Sequence, residues 1–78
     1  MFEATYISSA SGTSKETGKP WYRIELVANT ITGKPKTMNT FCTERAYRQA
    51  GALEPMSDVR IVCGVLDNGF ITVAEVEV

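Results

Sequence analysis

The residues with the clearest chemical potential form one short segment, in which cations and an aromatic ring lie close together. Residues 11–23 read SGTSKETGKPWYR, so that Lys15 and Lys19 closely precede Trp21 and Arg23. Lysine and arginine side chains neutralise phosphates and release the counterions bound to them. An indole plane stacks on an unpaired base, which contributes about 1–3 kcal/mol per base. The spacing therefore predicts a surface that binds single-stranded nucleic acid.

Other basic and aromatic residues extend this prediction. Lys34 and Lys36 lie in a second Gly/Pro/Lys turn, and Phe41 follows on the next predicted strand. Phe41, Tyr22 and Phe70 either stack on bases or pack in the core, and the sequence leaves this choice open. The predicted nucleic-acid contacts are Lys15, Lys19, Trp21, Arg23, Lys34, Lys36 and Phe41.

The distribution of charge along the chain supports this prediction, although the net charge does not. The 78 residues include 8 Lys+Arg and 9 Asp+Glu, which gives a net charge of −1. Residues 1–50 carry seven basic and four acidic residues, a net charge of +3, whereas residues 51–78 carry one basic and five acidic residues, a net charge of −4. The excess positive charge thus lies on the segment that holds the predicted contacts, and such asymmetry is informative about partners.

Residue types needed for catalysis or cofactor binding are scarce. The chain has no histidine, and histidine is the commonest general base and the commonest metal ligand. The serines have no GxSxG setting, the acids form no suggestive pair, and no phosphate-binding glycine motif precedes a helix. We therefore expect no enzyme activity, no metal, no cofactor and no small-molecule substrate.

The cysteines and the hydropathy bear on the cellular compartment. Cys42 and Cys63 are separated by 21 positions and fit no zinc-binding spacing. We expect two buried, reduced thiols in a cytoplasmic protein, with a single disulfide as the alternative. The first residues, MFEATYISS, do not have the pattern of a signal peptide. No stretch approaches 18 apolar residues, so we expect no membrane span.

The elements that must position these residues are mostly strands. Alternation of apolar and polar residues and turn signals predict strands over 2–9, 21–29, 37–42, 58–66 and 70–78. In the second strand, Tyr22, Ile24, Leu26 and Ala28 are assigned to the core, and Trp21, Arg23, Glu25 and Val27 to the outer face. Thr43 is the predicted N-cap of a helix, and Gly51 is the predicted C′ residue that terminates it. Asn68-Gly69 predicts a type I′ hairpin turn.

Five short strands with one helix between the third and fourth predict an all-β single domain over residues 1–78. A sheet of this size must protect its edges, and closure into a barrel is the usual solution. The order of elements is that of the five-stranded Greek-key barrel called the OB-fold. An SH3-like barrel is the alternative, and a ferredoxin-like fold is disfavoured because it needs a second helix.

Two short motifs carry a resemblance to a known family. Ser11-Gly12-Thr13-Ser14 followed by Gly18-Lys19-Pro20-Trp21 resembles the first hairpin of the filamentous-phage single-stranded-DNA-binding (helix-destabilising) proteins. In this chain the loop is one residue longer, and tryptophan stands where that family has tyrosine. The resemblance implies an OB-type barrel, a symmetric dimer and cooperative coating of single strands. It also implies that Trp21 stacks on bases and that Lys15 and Lys19 contact phosphates.

These observations lead to one expected function and one alternative. We expect a sequence-tolerant single-stranded-DNA-binding protein in phage or plasmid DNA replication, with the choice between DNA and RNA left open. A homodimer is expected because Val62, Leu66, Ile71 and Val73 supply more apolar strand surface than one small barrel encloses. The alternative is a small β-barrel protein-interaction module in which exposed Trp21 anchors a protein partner.

Overall fold

The computed structural model describes residues 2–78 as five strands and one helix, and Met1 lies outside the described residues. The strands are β1 (Phe2–Thr13), β2 (Pro20–Asn29), β3 (Pro35–Phe41), β4 (Asp58–Val65) and β5 (Ile71–Glu77), with helix α1 (Glu44–Gly51) between β3 and β4. They form one sheet in the order β3-β2-β1-β4-β5, and all neighbouring strands are antiparallel. The prediction of a mostly β fold with one short helix is confirmed.

The first hairpin is longer than the sequence predicts. Residues 10–13 were expected in a loop, but they continue β1 and pair with the first residues of β2. Their glycine and serine content favours turns, yet pairing with β2 satisfies their backbone groups. The loop is limited to residues 14–19, where Ser14 N donates to Lys19 O at 2.9 Å. Gly18 has a φ of +70°, which glycine adopts without steric cost.

Within residues 2–78, the two edges of the sheet are joined by a single bridge. An isolated parallel bridge joins Cys42 to Val73, just after the end of β3. Beside it, the Thr72 hydroxyl donates to Phe41 O at 3.0 Å, and Thr43 N donates to Val73 O at 2.9 Å. Beyond this bridge, the described strands show no ladder between β3 and β5, so the sheet is not closed along its length.

Helix α1 begins at the predicted residue and ends differently from the prediction. The Thr43 side chain accepts from Ala46 N at 3.1 Å, which confirms its role as N-cap. Gly51 was expected to terminate the helix, but it is the last helical residue, and Ala52 is the C-cap in a right-handed conformation. The prediction for Gly51 is therefore wrong, since this helix ends without a left-handed glycine.

The core lies between the inner face of the sheet and the helix. Ile24, Leu26 and Ile61 are fully buried, and they pack with the smaller side chains Ala46 and Ala50 of the helix. The remaining buried apolar residues are Ala4, Tyr6, Ala28, Cys42, Val59, Val73 and Val76. The alternation predicted for β2 is confirmed, because its buried positions are the even-numbered ones from 24 to 28.

The predicted inner face of β4 is wrong in its second half. Val59 and Ile61 are buried as expected, but the register of β4 against β5 shifts between Val62 and Cys63. The residue without a partner at this shift is Ala74, so the bulge lies in β5 and β4 itself has no extra residue. Cys63 is exposed rather than buried, and Val65 is exposed as well, so the core covers only the first half of β4.

The last hairpin forms where the sequence predicts it, with a different turn. Leu66 N donates to Phe70 O, and Gly69 N donates to Leu66 O, both at 2.8 Å. Gly69 has a φ of +88°, whereas Asn68 does not have a positive φ. A type I′ turn requires a positive φ at both central residues, so the loop is instead a three-residue connection with glycine in the left-handed position.

Within residues 2–78, no helix has the length and apolarity needed to cross a membrane.

Candidate nucleic-acid interface

The outer face of β2 displays the predicted aromatic and basic residues. Because side chains alternate along a strand, Trp21, Arg23 and Glu25 share the face opposite to Ile24 and Leu26. All three are partly buried, whereas Ile24 and Leu26 are almost completely buried. The buried residues of β2 therefore anchor the strand in the core and leave the other three side chains on an accessible surface.

Trp21 is held against the backbone of β1. It pairs with Gly12 across the first hairpin, and a Cβ built on Gly12 would lie 2.5 Å from Cζ2 of Trp21. Only glycine allows so close an approach. The half-buried indole thus rests on the sheet and keeps part of its surface exposed. Its position is set by the scaffold, as expected for a stacking platform that loses little freedom on binding.

Arg23 and Phe41 form the second part of the surface. They are directly opposite each other on β2 and β3, and Cζ of Arg23 lies 4.9 Å from the centroid of the Phe41 ring. This is a cation–π distance. Phe41 is 57% exposed and is therefore not a core residue. Nε of Arg23 is buried and has no hydrogen-bond partner among the described residues, so its guanidinium is oriented by the aromatic ring rather than by an acceptor.

The lysines of the first loop lie at the same end of the sheet as Trp21 and Phe41. Lys15 and Lys19 are exposed, and Lys19 is two residues from Trp21. Within residues 2–78 the two ion pairs are Arg45–Glu75 and Arg48–Glu44, both formed by arginines of the helix. Lys15, Lys19 and Arg23 take part in neither, so their charges are available to an anionic ligand. We call Lys15, Lys19, Trp21, Arg23 and Phe41 the aromatic–basic cluster.

The second pair of predicted lysines does not join the aromatic–basic cluster. Lys34 and Lys36 are exposed at the hairpin between β2 and β3, where Asn29 pairs with Pro35. Asn29 is eight positions further along the extended strand than Trp21, a distance of about 26 Å. The sequence places both lysine pairs beside β2, but the structure puts them at opposite ends of it.

Of the aromatic residues left open by the sequence, Tyr22 belongs to the inner side of the sheet. Its ring centroid lies 5.1 Å from that of Tyr47 on the helix, and both side chains pack against the core. Phe70, by contrast, is 71% exposed next to the last hairpin turn. Val65, Leu66 and Ile71 are also exposed there, so the tip of the β4–β5 hairpin is an apolar surface.

A depression next to the aromatic–basic cluster was missed by the sequence analysis. It has a volume of about 250 Å³ and is lined by residues that include Ser8, Ala10, Trp21, Arg23, Glu25 and Asn39. The Ser8 hydroxyl donates to Oε2 of Glu25 at 3.3 Å. The sequence feature that could have predicted this depression is the spacing of small residues at positions 8, 10 and 12. It was obscured because the register of β1 shifts between Tyr6 and Ser8, which reverses the faces of the strand.

Other chemistry is limited in the part of the chain that the structure describes. No group of three or more His, Cys, Asp or Glu residues among positions 2–78 is arranged to hold a metal ion. Burial raises the pKa of the Cys42 thiol from 9.0 to about 11, so this thiol stays protonated at neutral pH. Comparison with protein-family models, with curated proteins and with solved structures finds no match.

Proposed function

We propose that this protein binds single-stranded DNA on the outer face of β2 and β3, without strong sequence preference. The observation that carries the proposal is the aromatic–basic cluster. In it, Trp21 is held over Gly12 beside the Arg23–Phe41 pair, and the cations form no ion pair with the described residues. Bases stack on Trp21 and Phe41, and Lys15, Lys19 and Arg23 neutralise phosphates. No catalytic step is part of this proposal.

The proposal includes an OB-type Greek-key barrel as the fold. In support, the order β3-β2-β1-β4-β5 and the parallel bridge between Cys42 and Val73 would become a closed five-stranded barrel if that bridge extended along β3 and β5. The helix between β3 and β4 is in the position typical of that fold. OB-folds bind oligonucleotides on the face of strands 2 and 3 and with the loops that follow strands 1 and 4. In this proposal the aromatic–basic cluster lies on that face of β2 and β3.

The roles of the remaining predicted residues follow from their distance to Trp21. Lys34 and Lys36 lie about 26 Å away along β2, so in this proposal they contact phosphates of a longer tract rather than the nucleotides stacked on the cluster. The apolar tip of the β4–β5 hairpin is covered by a second copy of the chain, which gives the homodimer. Cooperative coating of single strands in phage or plasmid DNA replication, in the cytoplasm, completes the proposal.

A fluorescence titration tests the proposal, since Trp21 is the one tryptophan of the chain. Addition of oligo-dT should quench its emission strongly at low salt and weakly at high salt. If Lys15, Lys19 and Arg23 each neutralise one phosphate, log K should fall against log salt with a slope of about −2, or more steeply if the second lysine pair contributes. Oligo-rU measured in parallel distinguishes a DNA-binding from an RNA-binding protein.

Substitution of Trp21 separates this function from a protein-interaction module. Trp21→Ala should weaken binding of labelled oligo-dT, followed by anisotropy, by roughly 5- to 150-fold. Ile31→Ala is the matched control, because Ile31 is a fully exposed loop residue, and it should bind like the wild type. Unchanged emission of the wild-type protein at low salt and micromolar concentration would overturn the proposal and leave the protein-interaction module.

A further inference from the structure

On the outer face of the first three strands, the side chains around the depression lie in successive rows. Going along β2, Trp21 is opposite Gly12, Arg23 is opposite Ala10 and Phe41, and Glu25 is opposite Ser8 and Asn39. These rows are about 6.6 Å apart. The residues that β1 contributes are small in every row, which leaves a trough along the strand. At one end of the trough is an aromatic plane, and at the other is a carboxylate.

The negative charge of Glu25 is not expected on a face whose only role is to bind phosphates. Its carboxylate lies between Ser8 and Asn39, two residues from Arg23, and forms no ion pair within residues 2–78. A carboxylate next to a phosphate path lowers affinity by like-charge repulsion. A carboxylate is also an acceptor that can take two hydrogen bonds side by side. It therefore suits a ligand edge that presents two parallel donors.

Among the DNA bases, guanine alone presents two such donors on one edge, N1–H and the N2 amino group. Cytosine and adenine each present one amino group, and thymine presents one imide N–H. Unstacked bases in single strands are commonly recognised through their Watson–Crick edges. The depression, with a volume of about 250 Å³, has room for a base. The Ser8 hydroxyl bonded to Oε2 holds the carboxylate in place.

We infer that the depression is a base-recognition subsite in which Glu25 accepts hydrogen bonds from N1–H and N2–H of guanine. This inference rests on the proposed function and deepens it, because the bound single strand then has one preferred base at one position. The phosphates follow Lys19 and Arg23, and the guanine edge points towards Glu25. The Asn39 amide borders the same depression and is available to the guanine O6.

Oligonucleotides that differ at one position test the inference. The probes are labelled dT tracts with a single central dG, dA, dC or dI, long enough for the protein to shift its register to that base. Binding is measured by anisotropy at one fixed salt concentration. The dG probe should bind about tenfold more tightly than the dT tract. Inosine lacks the N2 amino group, so the dI probe should lose most of this advantage.

Glu25→Gln tests whether Glu25 is the residue that recognises the guanine. Glu54→Gln is the control, because it makes the same change of charge. Glu54 is an exposed residue whose side chain forms no hydrogen bond or ion pair with the other described residues. Glu25→Gln should reduce the preference for dG to less than about twofold and bind the dT tract at least as tightly as the wild type. Glu54→Gln should keep the preference.

Each other result overturns the inference in a recognisable way. Equal binding of the dG and dT probes by the wild type removes the subsite and leaves the proposed function intact. A preference that persists in Glu25→Gln shows that another residue reads the base. A preference that persists with dI excludes the two-donor contact. Failure to bind any of the probes overturns the inference together with the proposed function.

Discussion

At the scale of single residues, the position of Trp21 depends on the absence of a Cβ atom at Gly12. The indole occupies the space in which any other residue would place its Cβ. The φ of Gly12 is not in the left-handed region, so its backbone suits other residues and the requirement for glycine comes from the indole alone. A change at position 12 is therefore expected to act on the proposed binding surface rather than on the path of the chain.

Gly12→Ala tests this role. The added methyl group must displace the indole from the sheet, so we expect binding of oligo-dT to weaken by roughly tenfold, within the range of one lost stacking contact. The melting temperature should change little. Gly51→Ala is the matched control, because a Cβ there meets nothing within 4 Å. In the helix this change should slightly stabilise the protein and leave binding unaltered. Unaltered binding by Gly12→Ala would contradict the role of Gly12.

The buried thiol of Cys42 makes stability depend on pH in the alkaline range. Its pKa is raised from 9.0 to about 11 in the folded protein because burial disfavours the thiolate. In the unfolded chain the thiol loses its proton near pH 9, so its contribution to stability is full below pH 9 and is lost as the pH rises to about 11.

Urea denaturation at pH 8 and pH 10 measures this effect. The free energy of unfolding should fall more in the wild type than in Cys42→Ala, since the other titrating groups are common to both proteins. Cys63→Ala should behave like the wild type, because Cys63 is exposed. An equal fall in the wild type and in Cys42→Ala would show that the Cys42 thiol does not contribute.

At the scale of elements, the helix and β5 are joined through side chains rather than through a ladder. Thr43 accepts from Ala46 N and donates to Ala74 O at 2.8 Å, and Gln49 Oε1 accepts from Val76 N at 2.8 Å. These contacts occupy backbone groups at the edge of β5. An edge covered in this way is protected from pairing with another chain. One threonine thus caps the helix and holds it against the sheet.

Thr43→Ala should remove both bonds of this residue. We expect a loss of about 1–2 kcal/mol in the free energy of unfolding, as for other N-caps. In a domain of this size the melting temperature falls by roughly 4–8 °C for each kcal/mol. Thr43→Ser keeps the hydroxyl and should retain most of the stability, measured by thermal denaturation followed by circular dichroism. If Ser and Ala destabilise equally, the methyl group rather than the hydroxyl is responsible.

At the scale of the whole molecule, the aromatic–basic cluster and the largest group of exposed apolar residues lie on different strands. The aromatic–basic cluster lies at one end of β2, and Lys34 and Lys36 lie at its other end. Of the nine large apolar side chains that are exposed among residues 2–78, four lie together at the tip of the β4–β5 hairpin. The structure changes the set of residues that are available to the homodimer expected from the sequence. Val73 is buried in the core and cannot contribute, whereas Leu66 and Ile71 are exposed together with Val65 and Phe70.

A substitution at the hairpin tip tests the proposed dimer. Ile71→Lys places a charge in the apolar surface, so we expect a monomer where the wild type is a dimer at micromolar concentration, measured by sedimentation velocity. Ile31→Lys is the matched control, since Ile31 is an isolated, fully exposed loop residue, and it should remain dimeric. A wild type that is monomeric at all concentrations would contradict the proposal. So would an Ile71→Lys variant that stays dimeric.

The sequence by itself determined the features that depend on residues close together along the chain. The alternation of β2, the N-cap at Thr43 and the hairpin at Asn68-Gly69 were predictable because each results from local periodicity or a local hydrogen bond. The tertiary structure alone decided the pairing of Gly12 with Trp21, the contact of Arg23 with Phe41, and the depression beside Glu25. These depend on which residues face each other across strands. Two register shifts, at Ile7 of β1 and at Ala74 of β5, also interrupt the alternation on which a prediction from sequence relies.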